Sequence, residues 1–117
     1  MRVIIAGGRD IWDADAVCQA IDDSGFKITE IVCGGAPGVD TMGWRYGVWN
    51  DILVAHFPAD WDTFGKAAGP IRNAEMAQYA EALIAVWDGH SKGTEDMIKQ
   101  AVTNDLHIHI VILPKAT

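Results

Sequence analysis

Three turns in this sequence carry residue types suited to holding an anion. They read Gly7-Gly8-Arg9-Asp10, Gly34-Gly35-Ala36-Pro37-Gly38-Val39-Asp40 and Asp88-Gly89-His90-Ser91-Lys92-Gly93-Thr94. Each follows a short apolar run and precedes a segment of helical pattern. Glycine lacks the Cβ that blocks close approach and tolerates positive φ, so such turns can aim several N–H groups at one oxyanion. The helix that follows adds the partial positive charge of its N-terminus. The backbone N–H groups of Gly7, Gly8, Gly34, Gly35, Gly38, Gly93 and Thr94 are therefore candidate phosphate donors.

Charged side chains surround these turns. Arg9 leaves the first of them. Arg72 falls at the start of a predicted helix, where the dipole disfavours a cation, and a bound phosphate would account for it; Glu75 or Asp96 is its alternative partner. Lys66, in the segment Phe64-Gly65-Lys66-Ala67-Ala68-Gly69, could close over a phosphate, and Lys92 is similar. Asp40 opens the second helix, where an acid could accept from a ribose hydroxyl. Trp61 either stacks on a base or pins its loop to the core. His90 is a further candidate contact, whereas His56, His107 and His109 read as structural.

Better-known fingerprints are absent. The second turn is not GxGxxG, and neither GxxxxGK[ST], GxSxG nor HExxH occurs. Cys18 and Cys33 stand apart with no zinc-type spacing, so they read as buried free thiols in a reducing compartment. No metal and no cofactor is expected.

The elements that must position these turns follow from periodicity. Val3–Ala6, Ile28–Cys33, Ile52–Phe57, Leu83–Trp87 and His107–Leu113 are apolar runs of strand length. Between them lie helical patterns. The first spans Asp13–Ser24 with Gly25 as C-cap. The second starts near Gly38 with Val39, Met42, Tyr46 and Trp49 on one face. The third has Pro70 at its first position and Ile71, Met76, Tyr79 and Ala80 inward. The fourth is capped by Thr94, with Glu95 and Asp96 in its first turn and Met97, Ile98, Ala101 and Val102 as its stripe. Residues 58–69 read as a long loop. The order β-α-β-α-β-α-β-α-β, with strands apolar on both faces, predicts a three-layer α/β Rossmann-like sandwich around a five-stranded parallel sheet. Strand order 3-2-1-4-5 is favoured over 2-1-3-4-5, and it would bring the three turns to one sheet edge.

The chain has 117 residues, which suits a single domain over 1–117. A formal charge of −7 argues against bulk nucleic-acid binding, because that affinity comes largely from basic residues releasing phosphate counterions. The apolar runs are too short to span a membrane and the N-terminus does not resemble a signal peptide, so a cytoplasmic protein is expected. Trp44, Trp49 and Trp87 read as core or subunit contacts, and five tryptophans in so short a chain suggest a homo-oligomer.

The segments IIAGGRD, CGGAPGVD, FPADWDTFGKAAGPIRNAEM and ALIAVWDGHSKGT together resemble the YspA-type branch of the SLOG superfamily, which also groups the LOG phosphoribohydrolases and the DprA/Smf proteins. The resemblance implies a Rossmann-like fold and a nucleotide or nucleotide-derived small-molecule ligand. LOG hydrolases cleave the N-glycosidic bond of a nucleoside monophosphate, using Arg-Lys-x-x-Met and Pro-Gly-Gly-x-Gly-Thr-x-Glu-Glu. Here Arg72-Asn73-Ala74-Glu75-Met76 has asparagine at the lysine position. Gly93-Thr94 match, but Asp96 stands where the catalytic glutamate would fall, and Glu95 is one residue early. A carboxylate shorter by one methylene would fall about 1 Å short, enough to impair catalysis. Three functions follow as expectations. The first is binding of a phosphorylated nucleotide. The second is phosphoribohydrolase activity through Arg72 with Glu75, Glu95 or Asp96. The third is a DprA-like module binding single-stranded DNA or a partner protein.

Overall fold

Apolar runs without alternation need cover on both faces, and the chain supplies it with helices on each side of one sheet. A computed structural model describes residues 1–114. The strands are β1 (Arg2–Gly7), β2 (Glu30–Cys33), β3 (Leu53–His56), β4 (Ala82–Trp87) and β5 (His107–Ile112). The helices are α1 (Ala14–Ser24), α2 (Val39–Trp49), α3 (Trp61–Phe64), α4 (Ala68–Tyr79) and α5 (Lys92–Thr103). All strand pairs are parallel, in the order β3-β2-β1-β4-β5. This is a Rossmann-like α/β fold, and its strand order reverses between β1 and β4. Register there sets Ile4 beside Leu83 and Gly7 beside Val86.

Successive strand residues point to opposite faces, so the core splits in two. Val3, Ile5, Ile31, Ile84 and Val86 pack under Val17, Ala20 and Ile21 of α1 and Val39 and Met42 of α2. Ile4, Ala6, Val32, Leu83 and Ala85 pack under Met76, Ala77 and Ala80 and under Met97 and Ala101 of α5. Asp13 caps α1 by accepting from Ala16 N at 3.0 Å, and Gly25 ends it at φ 69°.

Several local expectations change. Residues 58–69 are not a plain loop: the Asp60 carboxylate accepts from Thr63 N and starts α3, and a 3-10 turn over Gly65–Ala67 leads into α4. Pro70 is consequently the third residue of α4, where its missing N–H is still one that the helix leaves unpaired. Ser91, not Thr94, precedes α5, because Asp88 Oδ1 already fixes the turn by accepting from His90 N and Ser91 N.

On α4 the buried stripe is Ala68, Gly69, Asn73, Met76 and Ala77, so Ile71 and Tyr79 face outward. The Tyr79 ring instead lies under the Arg2 guanidinium at 4.9 Å, with its hydroxyl bonded to Glu30. Val102 is also exposed. Trp44 and Trp49 are not core residues; Trp49 is 81% exposed on the outer side of α2. Cys18, on the solvent face of α1, is exposed, whereas Cys33 is buried. No helix of the described residues is long and apolar enough to cross a membrane.

Candidate functional site

Parallel strands all release their chains at one edge, so the turns after β1, β2 and β4 converge by topology. The backbone ties them together. Gly8 N donates to Val86 O at 3.0 Å, and Val39 N at the start of α2 donates to Gly8 O at 3.2 Å. Gly38 sits at φ 77° with its α-carbon so close to Gly8 and Arg9 that any side chain would overlap the backbone of both. Beside this junction lies a cleft of about 400 Å³. Its walls include Gly7 at the end of β1 and Arg9 beyond it, Ala36 and Asp40 after β2, Gly69, Arg72 and Asn73 of α4, and Ser91–Thr94 and Asp96 at the start of α5. Trp61 and Lys66 form its outer rim.

The turn after β2 does not present an empty ring of donors. The Asp40 carboxylate folds back into it, accepting from Ala36 N at 3.3 Å and from Gly34 N. Asp40 is only 5% exposed, and that burial raises its pKa from 3.8 to about 6, against the opposing pull of these donors, Arg72 and Arg9. The Gly35 N–H is directed at the Cys33 sulfur. Burial, with the Asp40 charge, pushes the Cys33 thiol up to about 11, so it stays protonated at neutral pH. His56 Nδ1 lies 3.5 Å from the same sulfur.

Arg72 has neither Glu75 nor Asp96 as its partner. Nη1 donates to Gly34 O at 2.6 Å and Nε donates to Asn73 Oδ1 at 3.1 Å. Gly34 makes room for it, since a Cβ there would overlap the guanidinium. Burial lowers the Arg72 pKa, partly offset by the charge of Asp40. Asn73, buried on α4, donates Nδ2 to Asp96 Oδ2 at 3.0 Å and to Gly93 O at 3.3 Å. A chain of polar contacts thus runs from Gly34 through Arg72 and Asn73 to Asp96. The helical pattern gave no sign of it, because it treats a buried asparagine as a break in the stripe.

The cleft gathers four cations, Arg9, Lys66, Arg72 and Lys92, against two carboxylates, Asp40 and Asp96. Its surroundings are thus cationic in a chain of net charge −7. The N-terminal turn of α5 opens on it without a side-chain cap, whereas Asp13 and Asp60 cap α1 and α3, and the 3-10 turn leads into α4 with Ala68 N donating to Gly65 O. Gly93 and Thr94 stand in the first turn of α5, whose leading N–H groups have no acceptor within the helix. Of the other anticipated residues, Glu75 is exposed and not part of the wall, and Glu95 pairs with Lys99 at 3.0 Å on the outer face of α5. Gly8 and Gly35 lie in the adjoining turns with their N–H groups already directed within the fold. Among the described residues no group of three His, Cys, Asp or Glu is placed to hold a metal ion.

The profile of the YAcAr family, described as the YspA, cpYpsA-related SLOG family, matches residues 1–64. The Gene 61 protein of Mycobacterium phage D29 is 33% identical over 110 residues, which cover 86% of this chain and 87% of that protein. Among solved structures, DNA processing protein A (DprA) from Streptococcus pneumoniae shares the fold, with a TM-score of 0.76 over 98% of this chain at 18% identity. The chain spans 50% of that structure's length. With more than half its length matched by the profile and a relative at this identity, the chain belongs to the YspA, cpYpsA-related SLOG family.

Proposed function

We propose that the chain binds a phosphorylated nucleotide or nucleotide-derived small molecule in the cleft between β1, α4 and α5. The observation that carries this reading is the local reversal of charge: four cations and the uncapped N-terminus of α5 face one cleft of a strongly acidic chain. An anion placed there meets Arg9, Arg72 and Lys92 and the N–H groups of Gly93 and Thr94. Lys66 closes from the rim. The ribose lies toward Asp40 and the base against Trp61, which rests on Gly69.

Isothermal titration against a panel of nucleoside mono-, di- and triphosphates tests the reading. Micromolar binding that weakens with added salt and disappears in Arg72→Ala supports it. No binding across the panel, with folding intact by circular dichroism, refutes it.

Hydrolysis of the N-glycosidic bond is a second reading, favoured by one observation. The Asp96 carboxylate lines the cleft and is oriented by Asn73. Release of free base from a nucleoside monophosphate, abolished in Asp96→Asn, would establish it. Single-strand binding is a third reading, and a salt-dependent shift of a fluorescent oligonucleotide would reveal it. Trp44, Val48, Trp49 and Leu53, exposed along α2 and the β3 edge, support self-association in the cytoplasm, which light scattering would measure.

A further inference from the structure

A second cleft, of about 850 Å³, opens on the other side of the β1 and β4 turns. Arg9 and Ser91 belong to both walls, so the two clefts adjoin along one line of residues. Their charges differ. The first is rich in cations, whereas the second is lined by Asp10, Asp13 and Asp88, with Arg9 as its one arginine or lysine among the described residues. Two of these acids have structural partners: Asp13 caps α1, and Asp88 accepts from His90 N and Ser91 N. Each cleft also offers one half-exposed indole, Trp61 at 50% in the first and Trp12 at 51% in the second.

The pairing restricts what each side takes. A second phosphate would meet the carboxylates of the second cleft, so the group lodged there carries no negative charge. Carboxylates accept from hydroxyl and amino groups, and an exposed indole face stacks on a ring. A nucleoside carries both. Both cavities fall within the ~300–1,000 Å³ typical of small-molecule sites.

We propose that the second cleft is a nucleoside subsite, occupied by the far end of a ligand whose phosphates lie at Arg9 and in the first cleft. The ligand class is a nucleoside diphosphate joined to a second nucleoside. This inference rests on the nucleotide-binding reading above and extends it to a ligand with two ring-bearing ends.

The test compares nucleoside monophosphates with the matching symmetrical dinucleoside diphosphates by isothermal titration on the intact chain. The dinucleoside compounds bind on the order of tenfold tighter, as stacking of one more base on an aromatic side chain provides. Trp12→Ala brings them to the affinity of the monophosphates, and Trp12→Tyr, which retains a stacking face, keeps most of the gain. Equal affinities in the unaltered chain overturn the subsite and leave the nucleotide reading standing. A gain that survives Trp12→Ala overturns it too. Binding of neither class refutes the nucleotide reading, and the subsite with it.

Discussion

Asp40 offers a test of how burial and nearby arginines compete. The residue is 5% exposed, and its carboxyl accepts from Ala36 N and Gly34 N and faces Arg72 and Arg9. The donors and arginines favour the carboxylate, while loss of water favours the neutral acid. Burial wins, and the pKa rises from 3.8 to about 6. At ~1.36 kcal/mol per pH unit, the rise is worth about 3 kcal/mol. The sign follows from proton affinity: the folded chain holds this proton more tightly than the unfolded chain. The stabilisation is therefore complete below about pH 4 and is lost as the pH climbs through about 6. Asp40→Asn retains an acceptor for the turn and cannot ionise. Urea unfolding of both proteins between pH 4 and 8 isolates the effect, because every other titrating group is common to the two. The unfolding free energy of the unaltered chain, minus that of the variant, should fall by about 2.5 kcal/mol across this window, since the unfolded carboxyl is already partly ionised at pH 4. A flat difference curve would mean that Asp40 is solvated as an ordinary carboxylate. A difference that rises with pH would mean that Arg72 and Arg9 outweigh burial, and either result would refute the argument.

Other expectations concern the polar chain across the cleft. Gly34→Ala places a methyl group against the Arg72 guanidinium, so nucleotide binding should be lost with a stability change of about 1–3 kcal/mol, as titration and urea melts would show. Asn73→Ala removes the donor to Asp96 and Gly93 and the acceptor for Arg72, and should destabilise the fold by about 2 kcal/mol in urea. Glu95→Gln breaks an exposed pair with Lys99 and should change stability by less than about 0.5 kcal/mol, leaving nucleotide affinity intact in a titration.

The large features were legible because they arise from patterns that solvent imposes. Alternation of apolar runs with helical stripes led to the parallel sheet, and chain chirality left few strand orders. The convergence of the turns at Gly8, Gly38 and Val86 followed from the strand order. What the pattern could not show depended on single side chains choosing among partners. Asp60 could have remained in a loop, yet by accepting from Thr63 N it starts α3. Tyr79 reads as inward by spacing, but Arg2 and Glu30 give its ring and hydroxyl partners at the surface. Asn73 and Asp96 lie 23 positions apart, and no local rule pairs them.

The turn after β2 shows why glycine content alone is an incomplete guide to an anion site. Its glycines do bring N–H groups together, but two of those groups, from Gly34 and the neighbouring Ala36, are directed at the chain's own carboxylate. Asp40 is thus a resident anion, and Gly34 serves mainly to admit Arg72 above it. Positive charge from Arg72 and Arg9 partly balances that carboxylate, which displaces the remaining attraction outward, toward Lys92 and the uncapped start of α5. A ligand phosphate there lies near a carboxyl that titrates at about 6, so its negative charge opposes ionisation of Asp40. Binding and protonation are then linked, and nucleotide affinity should rise as the pH falls toward 6, provided the phosphate retains its charge.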